Sequence, residues 1–152
     1  MVVISNSSPL IALTQIGRLE LSGQLHPQVL IPPAVAREVE LTIPMLPQWL
    51  AVKPLLLPRH PNTVSASIGS GEHEVISLGF ELHAGRLILD ERPARRLAAS
   101  LGLAVIGTVG LLLAATNRGL LVKIRPELDR LLAVRFFMDE ELYDRVLVQA
   151  GE

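Results

Sequence analysis

Cysteine is absent from the 152 residues. That excludes disulfides and thiolate metal ligands, and it points to a reducing compartment and a cytoplasmic protein. Aromatic residues make up only 3%, so Leu, Val, Ile and Ala must fill the core, and a platform for stacking bases is not evident. The longest apolar runs, such as 109–115, fall well short of the roughly 20 residues that span a bilayer. No basic stretch precedes the apolar opening, which argues against a signal peptide. The net charge of −1 gives no global attraction to nucleic acid, so any cationic surface must be local. What the chain does have is apolar residues, 49% of the total. With no internal repeat, low-complexity tract or convincing linker, residues 1–152 fit a single domain with a sizeable core.

Short β-rich runs alternate with helical patterns. Val2 to Ser5 is uninterrupted and β-branched, as a buried strand should be. Ser8-Pro9 then suits an N-cap followed by proline at the first helical position. Leu10, Leu13 and Leu19 mark that helical region, and Gly17 breaks it. Val29 to Ile31 is a second strand, and Pro32-Pro33 starts a helix carrying Val35 and Val39. Residues 41–70 lack periodicity, with a strand within Trp49 to Leu57 and a loop from Arg59 to Gly71. Glu72 to His83 is a helix whose Val75, Ile76, Gly79 and Leu82 share a face. Arg86 to Leu89 is a strand ending at Asp90, Pro93 to Leu101 a helix, and Gly102 a natural residue just past its end. Ala104 to Ile106 is a strand closed by Gly107-Thr108. A helix marked by Val109, Leu112 and Leu113 ends at Gly119. Helices over 126–134 and 139–149 follow, the last capped by Asp139. This alternation predicts an α/β fold with a mostly parallel sheet, whose ligand crevice lies beyond the carboxyl ends of the strands.

Three acids stand near such ends. Asp90 follows a strand directly and could equally cap the next helix, with its dipole. Glu72 shares the column of Val75 and Ile76 at the start of its helix, where a carboxylate facing the core needs a partner. Glu74 lies off that column and suits a first-turn acid. Glu38 flanks the Val35–Val39 stripe and could instead pair with a cation such as Arg37. If Glu38, Glu72 and Asp90 converge, their repulsion calls for a cation among them. All-oxygen ligands suit Mg²⁺ or Mn²⁺, which supports hydrolysis of a phosphodiester. The four histidines have no ligand spacing, so zinc is not expected.

The stretches ISNSSPLIALTQIGRLEL, IPPAVAREV, GSGEHEVISLGFE and LILDERPARRLAASLGLAVIGTVGLLLAA, in this order, resemble the PIN-domain superfamily, in particular its VapC-like toxin relatives. The resemblance covers most of the chain and is weakest over 42–68. It implies a three-layer α/β/α sandwich and a metal-dependent endoribonuclease, often a homodimeric toxin neutralised by a cognate antitoxin. It also implies four catalytic positions, which fall here on Asn6, Glu38, Glu72 and Asp90. Glu38, Glu72 and Asp90 would hold Mg²⁺ or Mn²⁺, with Glu74 and Asn6 as further candidates, and Ser7 and Thr108 would support the site. The first position departs from the pattern, because an amide stands where an acid is expected. An amide offers a carbonyl oxygen but no charge, and it could instead satisfy local backbone groups.

Arg92, Arg95 and Arg96 follow Asp90 and are candidates for contact with RNA. Arg92 is best placed for a phosphate, whereas Arg95 and Arg96 also suit a solvated helix face. Two other function classes compete. One is a PIN-fold binding module with weakened catalysis, which Asn6 favours. The other is a nucleotide-binding α/β protein, suggested by Gly69-Ser70-Gly71 at a helix start. That segment lacks the Lys-Ser/Thr of a P-loop, and Glu72 would repel a phosphate.

Overall fold

The computed structural model describes residues 1–64 and 67–152, without the side chain of Val64. Five strands form one sheet: β1 (Val3–Ser5), β2 (Val29–Ile31), β3 (Leu50–Val52), β4 (Arg86–Ile88) and β5 (Val105–Ile106). All neighbours pair in parallel, in the order β3-β2-β1-β4-β5. The helices are α1 (Ser7–Gln15), α2 (Glu20–Leu25), α3 (Pro33–Val39), α4 (Pro61–Val64), α5 (Ser70–Glu81), α6 (Arg92–Ser100), α7 (Thr108–Asn117), α8 (Arg125–Ala133) and α9 (Glu140–Gln149).

Successive strand residues face opposite sides of a sheet. Val3, Ile4 and Ser5 are all buried, as are Leu87, Ile88 and Leu89, so helices must cover both faces, giving the three-layer α/β/α sandwich. Helix α5 packs over β1 and β4 and against α3, while α6 lies against β5, and α2 packs on α7. The chain runs outward from β1 through β2 to β3, then returns to the other side of β1 for β4 and β5. The order therefore reverses between β1 and β4, where a parallel sheet opens a crevice past its carboxyl ends.

Most expected elements are present within a residue or two. Gly102 has a φ of 78° just past α6, and the Asp139 carboxylate accepts from the Leu142 N–H at 2.8 Å to cap α9. Two expectations need correction, the start of α1 and the 59–71 loop. Helix α1 begins at Ser7, so Asn6 and not Ser8 occupies the N-cap; Pro9 is tolerated because first-turn N–H groups lack helical partners anyway. The strand expected within 49–57 is Leu50–Val52; it goes no further because the Leu56 and Leu57 N–H groups turn to the Glu81 carboxylate at 2.8–3.1 Å and Pro54 and Pro58 offer no donor. The 59–71 loop contains α4, and α5 starts at Ser70, two residues early; 65–66 lie outside the described residues. The terminal helices help close the core through Leu128, Leu131, Val146 and Leu147. Glu127, 2% exposed, ties α8 to the turn between α1 and α2 through two bonds from Arg18 (2.8 and 3.1 Å), and Arg130 on α8 itself adds a third at 2.9 Å.

Candidate active site

A cleft of about 470 Å³ opens at the point of order reversal. It is lined by Asn6, Ser7, Ser8, Glu38, Glu72 and Glu91, together with Ser67, Ile68, Gly69, Gly71 and Pro93. The topology explains the meeting. Asn6 ends β1, its N–H donating to the Ile88 carbonyl at 3.0 Å and so extending the β1–β4 ladder by one residue. Glu38 comes from α3 after β2, Glu72 from the first turn of α5, and Glu91 from the exit of β4.

Asn6 is 4% exposed, and its Oδ1 is buried with no hydrogen-bond partner among the described residues. Although Asn6 holds the N-cap position, its side chain makes no capping bond, so it does not satisfy the local backbone as an asparagine there could. A Cβ on Gly71 would lie 3.0 Å from Asn6 Oδ1 and would collide with Glu38 Oε1. Only a residue without a side chain leaves room for these two oxygens to approach one spot. Glu72 Oε1 accepts from the Gly69 N–H at 3.0 Å, while its Oε2 is buried without a partner among the described residues. Burial pushes the Glu72 carboxyl up, the Gly69 N–H pulls it down, and the charges of Glu91 and Glu38 push it up further.

Asp90 does not line this cleft. Its Oδ1 accepts from the Thr108 N–H and its Oδ2 from the Thr108 hydroxyl, both at 2.7 Å. It therefore caps α7, a helix later in the chain, and not α6, whose N-cap is Glu91. Gly107 permits this approach, since a Cβ there would sit 2.8 Å from Asp90 Oδ1. Burial raises the Asp90 carboxyl, against the lowering effect of the two Thr108 bonds and Arg95. Thr108 thus acts on Asp90 and does not face the cleft. Glu74 is also elsewhere: its Oε1 accepts from the Ala34 N–H at the start of α3 (2.9 Å) and its Oε2 pairs with Arg59 (3.2 Å). Ser7 is buried in the cleft wall.

Among the described residues, no three His, Asp or Glu side chains converge closely enough to hold a metal ion. The expected trio is split, with Glu38 and Glu72 at the cleft and Asp90 outside it. The side-chain donors that line the cleft are all oxygen, and two of them, Asn6 Oδ1 and Glu72 Oε2, are buried and unpartnered among the described residues. This set fits a hard cation that keeps several waters and takes few carboxylates. It does not fit a phosphate at the α5 N-terminus, because Glu72 folds back over the Gly69 N–H. The nucleotide-binding alternative loses its main support there.

A second groove, about 1220 Å³, adjoins the cleft and shares Ser8, Glu91 and Pro93 with it. Arg92, Arg95, Arg135 and Arg145 line it over a floor that includes Ile106, Leu113 and Phe136. Arg92 is exposed at the first turn of α6. Arg95 is not on a solvated face: it is half-buried and donates to the Leu89 carbonyl at 2.8 Å. Arg96 is exposed and outside both cavities. Glu91 is the cleft residue that the sequence did not single out. Its neighbour Asp90 follows the strand directly, and only the direction in which each side chain leaves β4 separates them.

A parallel sheet that gathers oxygen donors at its order reversal, without a phosphate loop, has the framework of a nuclease-type α/β domain. The chain belongs to the DUF3368 family of PIN domains, whose model matches residues 2–152, and PIN domains are generally nucleases. No curated protein matches it. Among solved structures it is similar to a PilT N-terminus domain protein, SSO1118, from the hyperthermophilic archaeon Sulfolobus solfataricus P2. The two share 20% identity over 76% of this chain and 93% of that one, with a TM-score of 0.56, a likeness of fold. Among the described residues no helix is long and apolar enough to cross a membrane.

Proposed function

We propose that this chain is a divalent-metal-dependent endoribonuclease, with Asn6, Glu38 and Glu72 holding Mg²⁺ or Mn²⁺. The observation that carries this reading is the pair of buried, unpartnered oxygens, Asn6 Oδ1 and Glu72 Oε2, in the wall of a cleft beside Glu38. A bound cation would supply Lewis acidity and charge stabilisation for hydrolysis of a phosphodiester. The chain's own part is to orient and to position. Glu38 and Glu72 bring negative charge from two helices, and the Ser7 and Ser8 hydroxyls offer donors for substrate oxygens. Arg92 stands where the cleft meets the larger groove and suits a backbone phosphate, with Arg135 and Arg145 further along. Arg96 would add to the long-range attraction. Arg95 and Thr108 hold Asp90 in place and would act through it.

The resemblance to VapC-like toxins supports a toxin acting in the cytoplasm, held in check by a cognate antitoxin and assembled as a homodimer. A second reading, a PIN-fold module that binds RNA or protein with weakened catalysis, is favoured by the amide at position 6 and by the diversion of Asp90 to Thr108. Cleavage of a mixed RNA panel with Mn²⁺ or with EDTA separates the two. The nuclease reading expects Mn²⁺-dependent cleavage that Glu38→Gln and Glu72→Gln each abolish. RNA binding without any cleavage would instead establish the module.

A further inference from the structure

We infer that Glu91, and not Asp90, is the carboxylate from the exit of β4 that completes the cation site. This rests on the metal-dependent reading above and says which of this chain's residues would serve it. Asp90 and Glu91 are consecutive at the exit of β4, with Glu91 extended at φ −69° and ψ 129°. Side chains of successive extended residues leave on opposite faces. Asp90 reaches the first turn of α7, while Glu91 lines the cleft beside Asn6 at the end of β1.

The bonding of the two acids follows this divergence. Both Asp90 oxygens are engaged at 2.7 Å by the Thr108 N–H and hydroxyl, and Arg95 stands beside them. Moving that carboxylate would strip α7 of its cap and leave a buried charge unmatched. Glu91 carries no such commitment. It makes no capping bond for α6 and no ion pair among the described residues. It is exposed, and it lines the same cleft as Asn6, Glu38 and Glu72. The independent sign that this cleft takes a ligand is Asn6, 96% buried, with an unpartnered Oδ1 in the cleft wall. Glu38, Glu72 and Glu91 line the cleft from three separate segments, and their flexible side chains would have to draw together to share an ion with the Asn6 oxygen. Asp90 has a structural part, holding the β4 exit to the start of α7.

Mn²⁺ binding by the full chain, followed through the paramagnetic resonance of free Mn²⁺, tests this, with thermal melting of each metal-free variant in parallel. Glu91→Gln should weaken Mn²⁺ binding at least tenfold with the melting temperature unchanged, and Glu91→Asp should restore part of the affinity. Asp90→Asn and Thr108→Val should lower the melting temperature yet leave Mn²⁺ affinity within threefold of wild type. Equal or greater loss of affinity in Asp90→Asn than in Glu91→Gln overturns the assignment while leaving the metal-dependent reading intact. Unaltered affinity in Glu91→Gln does the same. No Mn²⁺ binding by the wild-type chain overturns both.

Discussion

Replacing Asn6 with aspartate tests the cleft most directly, because it adds a charge without adding an atom. The position is 4% exposed, and the oxygen that would become ionised shares one small space with Glu38 Oε1 beside Gly71. Two unit charges about 4 Å apart repel by about 4 kcal/mol at an effective dielectric constant of ~20, and desolvation adds to that. The new carboxyl can escape part of the cost by holding a proton, so a loss of roughly 2–4 kcal/mol at pH 7 is expected. At ~2–4 °C per kcal/mol for a domain of this size, the metal-free variant should melt on the order of 10 °C below wild type. A divalent cation reverses the sign of the effect, since it meets the added charge directly. A tenfold gain in affinity corresponds to about 1.4 kcal/mol, and that gain appears as additional stabilisation at saturating metal. Scanning calorimetry with and without Mn²⁺ should therefore show Asn6→Asp below wild type when metal-free and with the larger Mn²⁺-induced rise. A metal-free variant as stable as wild type, or a rise no larger than that of wild type, would refute the placement of Asn6 against the cation.

Gly71→Ala should leave stability within about 1–2 kcal/mol, because gained helix propensity offsets crowding of Asn6; isothermal titration should nevertheless show Mn²⁺ affinity reduced at least tenfold, as the new methyl displaces Glu38. Arg18→Met combined with Arg130→Met strands Glu127 as a buried charge, and denaturant unfolding should report a loss of about 3–5 kcal/mol, with each single change costing less than half of that. His26 is buried beside Arg86, and burial first, then that guanidinium, holds its pKa below the usual value. The unfolded chain then takes up a proton that the folded one does not, so stability is full above the unfolded pKa of about 6.5 and falls as the pH drops below it. Melting curves at pH 7.5 and 5.5 should differ less for His26→Gln than for wild type.

The elements most legible in the sequence are those whose pattern is local. Val29 to Ile31 is a β-branched, apolar run stopped by two prolines, and it is a strand with those bounds. Glu72 to His83 shows a helical stripe that identifies α5, but its start at Ser70 is hidden, because the glycine at 69 offers no side-chain cap. The end of the strand within 49–57 is hidden too: Leu55 to Leu57 are apolar, but the Leu56 and Leu57 N–H groups are claimed by Glu81, 24–25 residues away on α5. The candidate site follows the same division. Asn6, Glu38 and Glu72 could be nominated because each stands at a strand exit or on the column of a buried stripe. Glu74 could be set apart from Glu72 by its angle on the helix, and its carboxylate indeed serves Ala34 and Arg59.

By itself, then, the sequence determined the class: apolar runs alternating with amphipathic stripes can bury their surfaces only as helices on a parallel sheet, and acids at the ends of those runs face one crevice. Tertiary structure alone decided which acids share it. Asp90 and Glu91 are adjacent, both acidic and both at the end of β4. What parts them is the first turn of α7, whose unsatisfied N–H and hydroxyl at Thr108, 18 residues further along the chain, draw Asp90 to one side. No local pattern encodes that choice, because the partner that makes it exists only once β4 and β5 lie side by side.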